Sequence, residues 1–184
     1  MLEKLLNKIR SSLSVQKTNL KFDPTHDYGN ANMKRHNNLV LWKFGQLIKT
    51  LITLASDAER QKEIVGAGVA TDDMVEDFDT FFTLSFTEFY DNKLLTDEAL
   101  SLLKQLDKFL DDHSFDKTPE FWNDDNLDTN ADWKTVRLQA KNILVVMKMD
   151  DLEIEFDREE KYGMSKDGKQ QLIMQQTKTR IERK

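Results

Sequence analysis

Thr71-Asp-Asp-Met-Val-Glu-Asp-Phe-Asp-Thr-Phe-Phe-Thr-Leu-Ser-Phe-Thr-Glu-Phe-Tyr-Asp91 is the stretch whose reading decides the fold of this chain. At about 100° per residue, Met74, Val75, Phe78, Phe81, Phe82, Phe86 and Phe89 share one face of a helix, while Asp72, Asp73, Glu76, Asp77, Asp79, Glu88 and Asp91 fill the other. Thr71 is placed to cap it, with Asp72 and Asp73 in a first turn whose dipole favours negative charge. The segment predicts a helix with its rings in a core and its carboxylates outside.

Helical periodicity extends to both sides. Leu39, Leu41, Trp42, Leu47, Ile48, Leu51, Ile52 and Ala55 predict the most hydrophobic helix, capped by Asn38 and placed centrally. Ser56 and Glu59 have capping-box spacing for a helix over 57–65, and Gly66 and Gly68 end it. Thr96 caps a helix over 97–111 whose apolar face is Ala99, Leu100, Leu103, Leu106, Phe109 and Leu110. A further helix starts at Thr129 or Asn130 and turns Trp133, Val136, Ala140, Ile143, Leu144 and Met147 inward. These successive amphipathic helices predict a mainly α, single-domain antiparallel helical bundle over residues 1–184, with core helices at 39–112 and 131–148.

The remaining stretches are less regular. Leu2, Leu5, Leu6, Ile9 and Leu13 predict a short amphipathic helix over 1–13, followed by a polar connection over 14–38. Residues 113–130 form an acidic loop with one turn anchored at Pro119. In 152–182 the period changes: Leu152-Glu-Ile-Glu-Phe156 alternates, and Gln171 to Ile181 follows the turn signal Lys166-Asp167-Gly168. A small C-terminal β-hairpin is expected there, with a helix through Leu152 and Phe156, or a polar tail, as the competing forms.

Six Gly and two Pro argue against a turn-rich β fold, and with no Cys the chain has no disulfide framework and no thiolate metal site. Met1 to Leu13 does not read as a secretory leader and no stretch reads as a bilayer span, so a cytoplasmic protein is expected. The net charge of −6 conceals a segregation. Residues 1–49 carry nine Lys and Arg against three Asp and Glu, residues 50–157 ten against 26, and residues 158–184 eight against four. An acidic body of this kind repels nucleic acid and attracts basic surfaces. Lys34-Arg35-His36 and Lys178, Arg180, Arg183 and Lys184 offer phosphate contacts, but with few aromatics beside them nucleic acid is not the expected partner.

The patterns that could carry catalysis are each incomplete. The loop Asp124-Asp-Asn-Leu-Asp128-Thr-Asn130-Ala-Asp132 alternates oxygen donors as a calcium loop does, yet lacks both the turn glycine and the final bidentate Glu. Asp73-Met-Val-Glu76 and Glu88-Phe-Tyr-Asp91 resemble the paired acidic motifs with which all-helical nucleotide pyrophosphohydrolases hold magnesium. On one continuous helix, however, the two motifs stand about 18 Å apart and cannot share an ion. His26, His36 and His113 are scattered, Gly66-Ala-Gly68 lacks a third glycine and a preceding strand, and no P-loop or nucleophile elbow is present. No catalytic, cofactor or metal residues are therefore expected.

The reading that remains is a non-enzymatic acidic module for a basic protein partner. Asp77, Asp79, Asp124, Asp125 and Asp128 would supply the field and Trp122 an anchor. Inhibitors of the immunity type, which cover the basic sites of nuclease toxins, are the analogy from charge and size. The competing class is a helical metal-dependent hydrolase using Glu59, Glu63, Asp73 and Asp77, and a homo-oligomeric structural protein is the third.

Overall fold

The computed structural model of the protein describes residues 19–30, 34–113 and 118–184. The helix expected at 1–13 and part of the acidic loop, including Asp116, lie outside the described residues. Six α-helices follow in order: α1 (His36–Ala55), α2 (Ala58–Val65), α3 (Ala70–Phe78), α4 (Phe86–Asp91), α5 (Asp97–Asp111) and α6 (Ala131–Val146). A π-helical turn (Asp79–Thr83) continues α3, and short 3₁₀ turns lie at Tyr28–Asn30, Pro119–Trp122 and Asp124–Asn126. Strands β1 (Leu152–Met164) and β2 (Gln170–Arg183) close the chain as one antiparallel hairpin. The protein is thus mainly helical with a two-stranded sheet at its C-terminal end.

The element at the centre is α1. It packs along α6 and also meets α2, α3, the π turn, α4, β1 and the turn at Tyr28. Its 20 residues bury Val40, Phe44, Leu47, Ile48, Leu51 and Leu54, an apolar surface on nearly every side, as a helix surrounded by others requires. The helix starts two residues before Asn38, at His36, with Arg35 at the N-cap and no side-chain cap.

The Phe-rich stretch does not form one straight rod. After α3 the π turn inserts an extra residue, Leu84 and Ser85 leave the helix, and α4 starts afresh. The rings explain the break. Phe82 packs 5.2 Å from Phe78 and 5.6 Å from Phe86, keeping one ladder, whereas Phe89 turns away to meet Phe44 edge-on at 5.1 Å. Phe78, Phe82 and Phe89 are fully buried, and Leu84, at the break, is 76% exposed.

Thr96 accepts from the Ala99 N–H at 3.1 Å, and Asn130 accepts from the Asp132 and Trp133 N–H groups at 2.8 and 3.1 Å, so both expected caps are in place. Two others differ. Asp57, not Ser56, caps α2 by accepting from Arg60 N–H at 2.8 Å, while Ser56 donates back to the Ile52 carbonyl. Gly66 ends α2 with φ of 83°, a conformation that favours glycine.

The hairpin is longer than the alternation alone suggests. Leu152 and Ile154 face Arg183 and Ile181 across the ladder, and Leu152, Ile154 and Ile181 join the helical core. Phe156 lies between the Arg60 and Arg158 guanidinium groups, whose centres are 5.2 and 4.8 Å from its ring. Arg158 also donates to the Glu63 carbonyl and, at 3.2 Å, to that of Ile64, covering the C-terminus of α2. Past a bulge at Lys161/Tyr162, the outer part of the hairpin exposes Tyr162, Met164, Ile173 and Met174. Among the described residues, no helix is long and apolar enough to cross a membrane.

Candidate functional site: an acidic groove

Five carboxylates from three elements meet at a groove of about 420 Å³. Asp72 and Glu76 come from α3, Asp79 from the π turn that continues it, and Asp107 and Asp111 from successive turns of α5. Val75, Phe78 and Leu110 supply the apolar floor, and His113 and Trp122 close one end. Among the described residues, no Lys or Arg lines it.

The electrostatics follow from that arrangement. Partial burial pushes the Asp107 carboxyl above its usual range; a hydrogen bond from Thr83 Oγ1 at 2.8 Å works against the rise, and the charges of Asp111 and Asp79 add to it. Around the corner, Asp77 is raised by the protein atoms crowding it, although the residue is exposed, and further by Asp73 and Glu76. Asp73 is raised by desolvation and by Asp72 and Asp124. Carboxylates that resist ionisation beside one another form a site short of positive charge.

His113 and Trp122 belong to an aromatic stack that fixes this end of the groove. The His113 ring lies 4.5 Å from Phe109 and 4.6 Å from Phe121, and Phe121 stacks on buried Trp133 at 4.6 Å. His113 Nδ1 is 2.7 Å from the Phe109 carbonyl, and Nε2 is 3.3 Å from Asp132. Trp122 donates its indole N–H to the His113 carbonyl at 2.7 Å and is half-buried, so part of its ring remains open to the groove.

Of the residues expected to bind a partner, the groove gathers Asp79 and Trp122. Asp77 lines an adjoining crevice that shares Glu76 with it. Asp125 and Asp128 are exposed on the loop before α6. Asp124 serves the fold instead, since its two oxygens accept from the Ala70 and Thr71 N–H groups at 2.8 and 2.9 Å, capping α3 from outside. Thr71, expected as that cap, is buried within the helix and donates to the Trp122 carbonyl at 3.0 Å.

Asp72 and Glu76, on the acidic side of the Phe-rich segment, and Asp111, at the start of an acidic loop, belong to the surface expected to meet a partner without being singled out, whereas Asp107 and His113 lie outside it. A signal existed for Asp107 and Asp111, since they stand four apart at the border of the Leu103, Leu106 and Leu110 stripe.

The hydrolase constellation is not assembled. Asp73 and Asp77 share the adjoining crevice, whereas Glu59 and Glu63 are exposed on α2 and Glu63 pairs with Arg60 at 2.9 Å. Although the Phe-rich segment is broken, Glu88 faces Lys43 at 3.3 Å and His36 at 3.5 Å. Among the described residues, no three His, Asp or Glu side chains are grouped to hold a metal ion. Compared with known proteins, the chain matches no family model, no curated protein and no solved structure.

Proposed function

We propose that this chain is a non-enzymatic acidic binding module, a single domain with its helices in an antiparallel bundle, whose groove takes the basic surface of a protein partner. The observation that carries this reading is the groove's lining: five carboxylates from three elements over an apolar floor, with no Lys or Arg among the described residues that line it. Such a surface speeds association with cationic partners and disfavours acidic ones. An arginine or lysine inserted between Asp79 and Asp107 would relieve their repulsion, and Trp122 offers it a ring face at the end of the groove. An inhibitor of the immunity type, acting in the cytoplasm, is the biological role this chemistry suits.

A hexa-arginine peptide tests the reading. In ¹H–¹⁵N spectra its addition is expected to shift resonances of Asp72, Glu76, Asp79, Asp107, Asp111 and the Trp122 indole. The triple variant Asp79→Asn/Asp107→Asn/Asp111→Asn is expected to lose this response. Shifts spread evenly over every acidic residue, or unchanged in the variant, would refute the reading.

A further inference from the structure

A second cleft has the opposite character. It measures about 550 Å³ and opens between the 22–29 segment, the middle of α1 and the inner half of β2. That volume is typical of small-molecule sites. Three cations line it, Lys49, Lys178 and Arg180, together with His26, in a chain whose net charge is −6. Asp27 and Asp157 are the acids among the described residues that line it. Arg180 is paired with Asp157 at 3.0 Å and with Glu182 at 2.6 Å. Neither Lys49 nor Lys178 has a carboxylate within ion-pair distance among the described residues, so the surplus charge is theirs.

The cleft also has donors aimed into it. Lys49 is half-buried, and its ammonium gives one hydrogen bond, to the Thr179 carbonyl at 2.7 Å, leaving two N–H groups unengaged by the described residues. Burial pushes its pKa below the ordinary lysine value, with Asp27 acting the other way. One wall is aromatic: Phe22 stacks on Tyr28 at 5.6 Å, and Trp42 packs edge-on against Phe81 at 5.9 Å. Trp42 Nε1 lies beside Gly29, where an added Cβ would come within 3.9 Å of it. Its N–H finds no acceptor among the described residues.

We infer that this cleft binds a small ring-bearing organic anion, a phosphate monoester or carboxylate whose charge meets Lys49, Lys178 and the Trp42 N–H while its ring lies against Tyr28 and Trp42. The acidic groove selects cations and this cleft selects anions, so the two sites do not compete for one ligand.

Calorimetric titration of the full chain with 1-naphthyl phosphate and 1-naphthoate, against 1-naphthol and inorganic phosphate, tests the assignment. At least one ring-bearing anion is expected to bind with a Kd below about 1 mM. Naphthol and phosphate, each carrying half of the recognition, are expected to bind about tenfold more weakly or worse. The phosphate and carboxylate arms distinguish which head group fits. In NMR spectra the Trp42 indole resonance shifts on binding, and those of Trp122 and Trp133 stay.

Lys49→Met is expected to weaken binding about tenfold, the scale of one charge-assisted hydrogen bond. Because Lys49 also holds β2, the exposed Lys178→Ala and the ring-preserving Trp42→Phe are run beside it, each expected to weaken binding several-fold at an unchanged melting temperature. The assignment is overturned if neither anion binds below about 1 mM, if naphthol binds as tightly as the anions, or if Lys178→Ala and Trp42→Phe both leave affinity intact.

Discussion

Asp124 caps a helix that begins 54 residues before it in the chain. A carboxylate accepting two backbone N–H groups at a helix N-terminus combines capping with the favourable end of the dipole. Asp124→Ala is therefore expected to cost about 1–2 kcal/mol in urea denaturation, more than an exposed loop acid would. Asp125→Ala, one residue on, is the control and should fall within about 0.5 kcal/mol of the parent.

Asp77 gives a prediction of opposite sign. Its carboxyl is raised in the folded state, so the associated stability is present at low pH and lost as pH rises through the folded-state pKa. Asp77→Asn should then raise the melting temperature at pH 7, and the gain should shrink to nothing as the buffer falls below the ordinary aspartate value of 3.8. Phe82, 1% exposed between two other rings, belongs to the core proper. Phe82→Ala should cost about 3–5 kcal/mol, and Phe82→Asp should leave no cooperative melt.

Among the elements, the hairpin is held at its base and free at its tip. Leu152, Ile154 and Ile181 are buried, Arg158 bonds the end of α2, and Gln175 Oε1 accepts from the Ala67 N–H at 3.0 Å. Beyond these anchors most residues of the ladder are exposed, and an isolated two-stranded ribbon is marginal in water. Amide hydrogen exchange should show protection at 152–158 and 177–183 and fast exchange at 160–174. Gly66→Ala probes the junction, since φ of 83° disfavours a side chain and its Cβ would collide with Gln175 and Arg158. It should destabilise α2 and raise exchange at the base of the hairpin together.

What could be read from the sequence differed by element. The caps at Thr96 and Asn130, the stop at Gly66 and the inward face of α6 were legible because each depends on residues within a turn of one another. The break after Thr83 was not, because it answers to Phe44, supplied by a helix some forty residues earlier. The cap of α3 escaped for the same reason, its acceptor lying in the acidic loop. The hairpin announced itself by alternation only at 152–156, since its outer residues have no buried face to pattern.

For the whole molecule, charge segregation was visible in composition, but which carboxylates would share a groove was set by the packing of α5 against the π turn. That packing predicts how salt acts on the protein. The ion pairs, such as Lys108–Asp112 and Arg180–Asp157, are largely exposed, and pairs of this kind contribute little. The like-charge contacts are concentrated, with Asp79, Asp107 and Asp111 around one groove and Asp73, Glu76 and Asp77 beside it. Screening should therefore remove more repulsion than attraction. Raising NaCl from about 10 mM to about 1 M shortens the Debye length from about 30 Å to about 3 Å and is expected to raise the melting temperature. Salt can also stabilise through the hydrophobic effect, so the comparison that counts is with Asp79→Asn/Asp107→Asn/Asp111→Asn. That variant should melt higher than the parent at low salt and gain less on addition of salt, the two curves converging near 1 M. Hexa-arginine binding should run the other way, tightest at low salt and lost as the same screening sets in. Parallel salt curves for parent and variant would mean that the groove's carboxylates do not feel one another, and the basis for placing a cationic partner there would be gone.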